Sequence, residues 1–210
     1  MANNIKIKIC GITNYRDAAD AIDCGADAVG FVMAPSPRRI TPDMARSIIS
    51  RLPPFAIKVG VFVNAPLKQV KSLMNYCGFN IVQLHGDEDR KYFNALCPYA
   101  LKVFRVDSPL VIKSIQRYGV QNFILDSRYG GSGQLIDVRI ARQAARLGNM
   151  ILAGGLTPDN VAQIIMAVRP YGVDVSSGVE KKPGKKNNDK MKAFIKAVTC
   201  PNDHSVGRGG

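Results

Sequence analysis

The sequence predicts an α/β fold, a single (β/α)8 TIM barrel, and three observations support that prediction. Eight short apolar runs rich in β-branched residues follow one another at fairly even spacing along the 210 residues. Amphipathic segments with helix caps and stops lie between these runs. No linker rich in proline, glycine or serine divides the chain. Strand–helix alternation of this kind requires parallel strands joined by right-handed crossovers, and eight such units close a barrel.

The apolar runs are the predicted strands. They comprise 5–10, 27–33, 56–63, 80–85, 100–106, 122–126, 150–153 and 172–176. A doubly wound open sheet is the competing arrangement, but it usually has fewer strands and would leave the eighth repeat without a place. We therefore expect one barrel domain over 1–198 and a flexible, polar, glycine-rich tail over 199–210.

Helix signals lie between several of the strands. Asparagine and threonine side chains can accept a hydrogen bond from the first turn, and proline fits the first helical position. Glycine ends a helix because it tolerates a positive φ. The clearest starts are Asn14, the pair Thr41 and Pro42, Pro66, and the pair Thr157 and Pro158, while Gly25 and Gly78 mark ends.

Composition excludes several classes of protein. Hydrophobic residues make up 46% of the chain, enough for a large core, yet no apolar run approaches the roughly 20 residues that span a bilayer. The N-terminus lacks the apolar segment of a signal peptide, so we expect a cytoplasmic protein. Five cysteines without a CxxC spacing argue against a disulfide framework or structural zinc. Two histidines cannot build a histidine-rich metal site.

The formal net charge of +13 has four candidate explanations: nucleic acid, an anionic membrane, a phosphorylated and carboxylated substrate, or a proteome-wide basic bias without a specific partner. Seven lysines crowd into 181–196, and such a cluster is usually a solvated face. Aromatic residues are not interleaved with the basic ones, so base stacking has little support. We expect a small phosphorylated substrate as partner, and neither nucleic acid nor membrane.

Candidate site residues follow from the fold, because barrels of this class carry the active site at the carboxyl ends of their strands. Cys10 ends strand one and Asp126 ends strand six. A desolvated carboxyl can donate a proton, and a thiolate in cationic surroundings can accept one. Position alone also fits a loop-capping aspartate and a small buried cysteine.

Two glycine-containing loops favour a phosphate site. Gly154 and Gly155 follow strand seven, and Ser177 and Gly178 follow strand eight. Backbone N–H groups at these two strand ends often hold phosphate in barrels, and glycine permits the close approach. Ordinary tight turns are the alternative explanation. A third glycine loop, GGSG at 130–133, follows Asp126.

Further polar residues lie at the same end of the predicted barrel. Arg38 and Arg39 follow strand two, and a guanidinium suits a carboxylate ligand, so either could bind one. His85 ends strand four and is either a ligand contact or the polar start of a helix. Asp174 lies at the end of strand eight, where it would contact substrate.

Nine motifs along nearly the whole chain, in order, resemble the phosphoribosylanthranilate isomerase family. They are KICGIT (8–13), GADAVGF (25–31), SPRR (36–39), VGVFVN (59–64), VQLHG (82–86), ILD (124–126), GGSG (130–133), LAGGLTPDNV (152–161) and DVSSGVEKKPGKK (174–186). The combination of KICGIT, VQLHG and DVSSGVE is the most specific part of the resemblance. The loop before SPRR looks about one residue shorter than the family pattern, so either Arg38 or Arg39 could be the carboxylate ligand.

The resemblance implies a barrel isomerase of tryptophan biosynthesis that needs no metal or organic cofactor and is a monomer or a homodimer. The implied reaction is an Amadori rearrangement of N-(5-phosphoribosyl)anthranilate to 1-(2-carboxyphenylamino)-1-deoxyribulose 5-phosphate. The resemblance further implies that Cys10 is the general base, Asp126 the general acid and Arg38 the carboxylate ligand. It places phosphate on Gly154, Gly155, Ser177 and Gly178.

Three rival functions are less well supported. The histidine-pathway Amadori isomerase family has an aspartate at the end of strand one, where this chain has Cys10. A ribulose-phosphate epimerase would need metal-ligating histidines, and this chain has only His85 and His204. A barrel-derived nucleic-acid-binding protein would use the basic charge instead, and it would not need Cys10 or Asp126.

Overall fold

The protein is described by a computed structural model that covers residues 5–106, 108–127 and 137–201. Eight parallel strands close into a barrel, and β1 pairs with β8 from Lys6 opposite Gly172 to Ile9 opposite Val175. The strands are β1 (Lys6–Ile9), β2 (Ala28–Val32), β3 (Ile57–Phe62), β4 (Ile81–Leu84), β5 (Ala100–Val106), β6 (Asn122–Ser127), β7 (Asn149–Ala153) and β8 (Gly172–Val175). The predicted barrel is therefore confirmed, and the open sheet is wrong.

Helices follow the strands around the outside of the barrel. They are α1 (Tyr15–Asp23), α2 (Pro42–Ile49), α3 (Leu67–Cys77), α4 (Arg90–Asn94), α5 (Val111–Tyr118), α6 (Val138–Ala145), α7 (Val161–Val168) and α8 (Asn188–Thr199). A short 3-10 helix, Ser177–Val179, and a hairpin of β9 (Glu180–Lys182) with β10 (Lys185–Lys186) precede α8. In the described part of the chain, none of the helices is long and apolar enough to cross a membrane.

The predicted caps are confirmed at α1 and α2. Asn14 accepts a hydrogen bond from the Asp17 N–H, and Thr41 accepts one from Met44. Gly78 ends α3 with a φ of 79°. The start of α7 differs from its prediction: the helix begins at Val161, and a turn precedes it because the Asn160 side chain folds back onto the Thr157 N–H.

Two hydrophobic regions stabilise the barrel. Inside it, Val103, Ile124 and Ala153 pack together with the partly buried Leu101 and Ile151. Between the sheet and the helices lies a much larger core, whose fully buried aromatic side chains are Phe31, Phe62, Phe123 and Phe194. Strand alternation separates the two regions, because successive residues point to opposite faces of the sheet. The inward face ends in polar residues at the carboxyl end of the barrel.

Candidate active site

A cavity of about 390 Å³ opens at the carboxyl ends of the barrel strands. Of the nine predicted site residues, eight line it: Cys10, Arg38, His85, Asp126, Gly154, Gly155, Asp174 and Ser177. Gly178 does not line the cavity. It packs against the loop after β7, where a Cβ on residue 178 would lie 1.9 Å from the Leu156 carbonyl oxygen. Glycine there lets the loops after β7 and β8 approach each other.

Cys10 lies directly after β1, where its N–H donates to the Val175 carbonyl of β8 at 2.8 Å. This bond fixes the start of the turn that Gly11 continues with a φ of 78°. The thiol is half-buried and lines the cavity. Burial raises the pKa of Cys10 above its usual value, and the Lys8 ammonium opposes that rise.

Asp126 lies near the end of β6 and faces the cavity together with His85. The distance between His85 Nε2 and Asp126 Oδ2 is 3.4 Å. The other ring nitrogen of His85, Nδ1, lies 3.3 Å from Gln83 Nε2. Both Asp126 and His85 are only partly exposed, so their contact is partly shielded from water.

Arg38 and Arg39 take different positions. Arg38 lines the cavity, and its guanidinium donates from Nε and Nη2 to the two carboxylate oxygens of Glu180, at 2.9 and 2.7 Å. Arg39 is exposed and lies outside the cavity lining. The Lys186 ammonium, fully buried, donates to the same carboxylate at 3.0 Å. Although burial favours the neutral acid, Arg38 and Lys186 hold the pKa of Glu180 below its usual value.

The loop after β7 turns on two glycines with positive φ, 91° at Gly154 and 66° at Gly155. Asn160 holds this loop, since its Nδ2 donates to the Gly155 carbonyl at 2.9 Å. The predicted GGSG loop, 130–133, lies outside the described residues.

A buried ion pair underlies the cavity. Lys8 Nζ lies 2.7 Å from Asp174 Oδ2, and the two side chains are 4% and 7% exposed. The second oxygen, Oδ1, is buried and has no hydrogen-bond partner among the described residues. Because Asp174 also lines the cavity, this oxygen can accept a hydrogen bond from a ligand.

Comparison with known proteins identifies the family of this chain. The family model of N-(5'phosphoribosyl)anthranilate isomerase matches residues 7–197. The N-(5'-phosphoribosyl)anthranilate isomerase of Pelobacter propionicus is 47% identical over 197 residues, which cover 91% of this chain and 94% of that protein.

This chain belongs to the phosphoribosylanthranilate isomerase family. It is an isomerase of tryptophan biosynthesis that catalyses the Amadori rearrangement of N-(5-phosphoribosyl)anthranilate to 1-(2-carboxyphenylamino)-1-deoxyribulose 5-phosphate.

Solved structures resemble the isomerase closely. That of phosphoribosyl anthranilate isomerase from Thermotoga maritima has a TM-score of 0.88 at 41% identity, covering 92% of this chain and 98% of the other. A structure of a phosphoribosyl anthranilate isomerase in complex with reduced 1-(O-carboxyphenylamino)-1-deoxyribulose 5-phosphate has a TM-score of 0.86 at 39% identity and the same coverage. A third, of monomers generated from the dimeric Thermotoga maritima enzyme, has a TM-score of 0.85 at 38% identity, again with the same coverage.

Sequence reasoning missed several residues of the isomerase site. Arg105 lines the cavity and donates from Nη2 to the His85 carbonyl at 2.8 Å. Strand alternation could have found it, because Leu101, Val103 and Arg105 share one face of β5. Glu180 and Lys186 contact the site only through the hairpin that folds back after β8, and a run of lysines gives no signal of that contact. In the described part of the chain, no group of three or more metal-ligating side chains is arranged to hold a metal ion.

Proposed function

We propose that Cys10 is the general base and Asp126 the general acid of this isomerase. Protonation of the furanose ring oxygen by Asp126 opens the ring to a Schiff base. Cys10 then removes the C2′ proton to give an enolamine, which tautomerises to the ketone. The observation that carries the proposal is that both groups line one cavity from β1 and β6, three strands apart around the closed barrel.

The contact between His85 and Asp126 supports the assignment of the acid. At 3.4 Å, the imidazole limits the rotation of the Asp126 carboxyl and can hold one of its oxygens while the other faces the sugar. The contact of Gln83 Nε2 with His85 Nδ1 in turn limits the rotation of the imidazole ring. We propose that His85 contacts substrate beside Asp126.

We propose that Arg38 binds the anthranilate carboxylate. Glu180 engages Nε and Nη2 of the guanidinium, which leaves the two N–H groups of Nη1 for a ligand. Because Lys186 shares Glu180, the three-residue cluster keeps one net positive charge at the cavity wall. A substrate that carries a carboxylate and a phosphate would be drawn to such a wall.

We propose that phosphate binds between the loops after β7 and β8. Gly154, Gly155 and Ser177 line the cavity there, and Gly178 belongs to the same 3-10 turn as Ser177. Backbone N–H groups in such turns form anion-binding concavities. At the cavity floor, Asp174 Oδ1 would accept a hydrogen bond from a sugar hydroxyl.

Binding of a non-reacting ligand separates these roles. We would measure the affinity of reduced 1-(O-carboxyphenylamino)-1-deoxyribulose 5-phosphate by calorimetry, since it cannot isomerise. Cys10→Ser and Asp126→Asn are expected to bind it within a few-fold of the wild type, because their proposed work is proton transfer. Arg38→Ala is expected to bind it at least tenfold more weakly. Equal affinity in all three variants would contradict the assignment of Arg38.

For the assembly, we propose a homodimer formed through the amino-terminal end of the barrel. A cavity of about 550 Å³ opens there, lined by apolar side chains that include Ile57, Val59 and Ile151. Phe55 lines it too and is 97% exposed. A large apolar side chain in water beside an apolar cavity is typical of a surface that a second copy covers.

The barrel, predicted over 1–198, is in our proposal the catalytic domain, and its last helix, α8, runs one residue into the predicted tail 199–210, to Thr199. Residues 202–210 lie outside the described part of the chain. The cytoplasm is the proposed compartment, since all five cysteines are free thiols, as a reducing environment keeps them.

A further inference from the structure

Lys8 is a charged residue inside the barrel, directly behind the thiol of Cys10. The two residues are two positions apart at the end of β1, so their side chains point to the same, inner face. Only 4% of the Lys8 side chain is exposed. A buried ammonium is costly unless it is paired. The groups around Lys8 must therefore stabilise its charge.

Its first partner is Asp174, 2.7 Å away. Although burial works against the charged form, Asp174 and Cys10 raise the pKa of Lys8, and the lysine is therefore a cation at neutral pH. The Cys10 thiol is the other ionisable group whose pKa is coupled to that of the ammonium, since a positive charge on Lys8 favours the thiolate.

Gly30 on the neighbouring strand β2 lies beside both the Cys10 sulfur and the Lys8 side chain. A Cβ at residue 30 would lie 2.8 Å from Cys10 Sγ and 3.2 Å from Lys8 Cε. The sulfur and the lysine stem therefore share the space that a side chain on residue 30 would occupy. The backbone of a neighbouring strand limits both groups, which restricts where the ammonium and the sulfur can go.

The charged groups around Cys10 come from three elements besides its own strand. Lys8 and Lys186 favour the thiolate, whereas Asp174 and burial favour the thiol. Arg38, at the cavity wall, also interacts with the charge on Cys10: after the larger effect of Glu180, a thiolate at Cys10 helps to raise the pKa of Arg38. Among the two lysines, Lys8 has the larger influence on the pKa of Cys10.

We propose that Lys8 is a positioning residue that stabilises the ionised form of Cys10 against the effect of burial, with Asp174 as the counter-charge of the lysine. The inference rests on the proposed role of Cys10 as base. When the thiolate takes the C2′ proton, the sulfur becomes a neutral thiol, and Lys8 remains paired with Asp174. Burial raises the pKa of Asp174, and the Lys8 ammonium opposes that rise, so each member of the pair favours the charged form of the other.

The test is the rate at which iodoacetamide alkylates Cys10 as a function of pH, followed on the Cys10 peptide by mass spectrometry. Lys8→Met is expected to raise the midpoint by about one pH unit or more, the size of shift that a neighbouring charge produces. Lys8→Arg keeps the cation and is expected to restore most of the wild-type midpoint. Lys6→Met is the matched control, since Lys6 lies on the same strand as Lys8 but pairs with Asp27, at 3.0 Å. The alkylation midpoint of Lys6→Met should equal that of the wild type.

If Lys8→Met fails to fold, Lys8→Gln replaces it, because the neutral amide can still donate to Asp174. An unchanged midpoint in the neutral variants would overturn the inference. The pH profile of kcat is measured alongside. If the alkylation midpoint moves and the kcat profile does not follow, Lys8 does favour the thiolate of Cys10, and it is the proposed role of Cys10 as base that fails.

Discussion

Arg38 and Glu180 form a two-point ion pair, with Nε and Nη2 of the guanidinium 2.9 and 2.7 Å from the two carboxylate oxygens. The pair joins the loop after β2 to the hairpin after β8, 142 residues further along the chain. It therefore fixes the direction of the one arginine of the SPRR motif that faces the cavity. The neighbouring Arg39 points elsewhere.

Arg38→Ala is expected to raise KM for phosphoribosylanthranilate by roughly 10–100-fold, the equivalent of one lost charged hydrogen bond. The loss should fall mainly on KM, because the carboxylate neither gains nor loses a proton in the rearrangement. Steady-state kinetics on purified protein give both constants. Arg39→Ala is the matched control, and a similar rise in KM there would contradict the assignment.

Glu180→Gln is expected to destabilise the fold by roughly 2–3 kcal/mol at neutral pH, because it leaves the buried Lys186 without its carboxylate. The folded-state pKa of Glu180 lies below its ordinary value, so the ionised carboxylate stabilises the folded state above about pH 5. That contribution is lost as the pH falls through the lowered pKa. Urea unfolding of both proteins from neutral to acidic pH should show the difference narrowing, and a constant difference would contradict the role.

Gly30→Ala is expected to displace Cys10 Sγ or Lys8 Cε, since the new methyl would lie 2.8 and 3.2 Å from them. We expect a loss of about 1–3 kcal/mol in stability and a large fall in kcat. Gly60→Ala is the control, because its methyl would meet Phe79 at 2.6 Å in the outer core. It should lose similar stability and keep kcat. A kcat that falls equally in both variants would show that overpacking alone explains the loss.

Phe55→Glu is expected to convert a dimer to a monomer, because a carboxylate cannot enter the apolar cavity beside it. Light scattering over a range of protein concentrations measures the mass. Met166→Glu, on the 46% exposed Met166 of α7, is the control and should leave the mass unchanged. A wild-type chain that is monomeric at all concentrations would contradict the proposed dimer.

Much of the fold could be predicted because its signals are local. Each apolar run became a strand within two residues of the predicted bounds, and Asn14 and Thr41 cap the predicted helices. The turn before α7 was less predictable, since it forms where the Asn160 side chain accepts a hydrogen bond from the Thr157 N–H, so that a turn replaces the predicted first turn of the helix. Local propensity does not decide such a competition.

The candidate site was predictable where strand ends alone determine position, as at Cys10 and Asp126. Residues brought in by a distant segment were not: Glu180 reaches Arg38 from the hairpin after β8. Lys8 was overlooked for another reason. A lysine in a strand is usually exposed, and only the pairing of β1 with β8 shows that it meets Asp174 inside the barrel.

The central claim is that Cys10 and Asp126 transfer the protons of the rearrangement. Single-turnover loss of phosphoribosylanthranilate fluorescence tests it most directly, because product release does not limit that rate. Cys10→Ser and Asp126→Asn are each expected to slow the step by roughly 10²–10⁴-fold. The controls Cys24→Ser and Asp23→Asn, at the end of α1 outside the cavity, should match the wild type. Wild-type rates in either Cys10→Ser or Asp126→Asn would contradict the account.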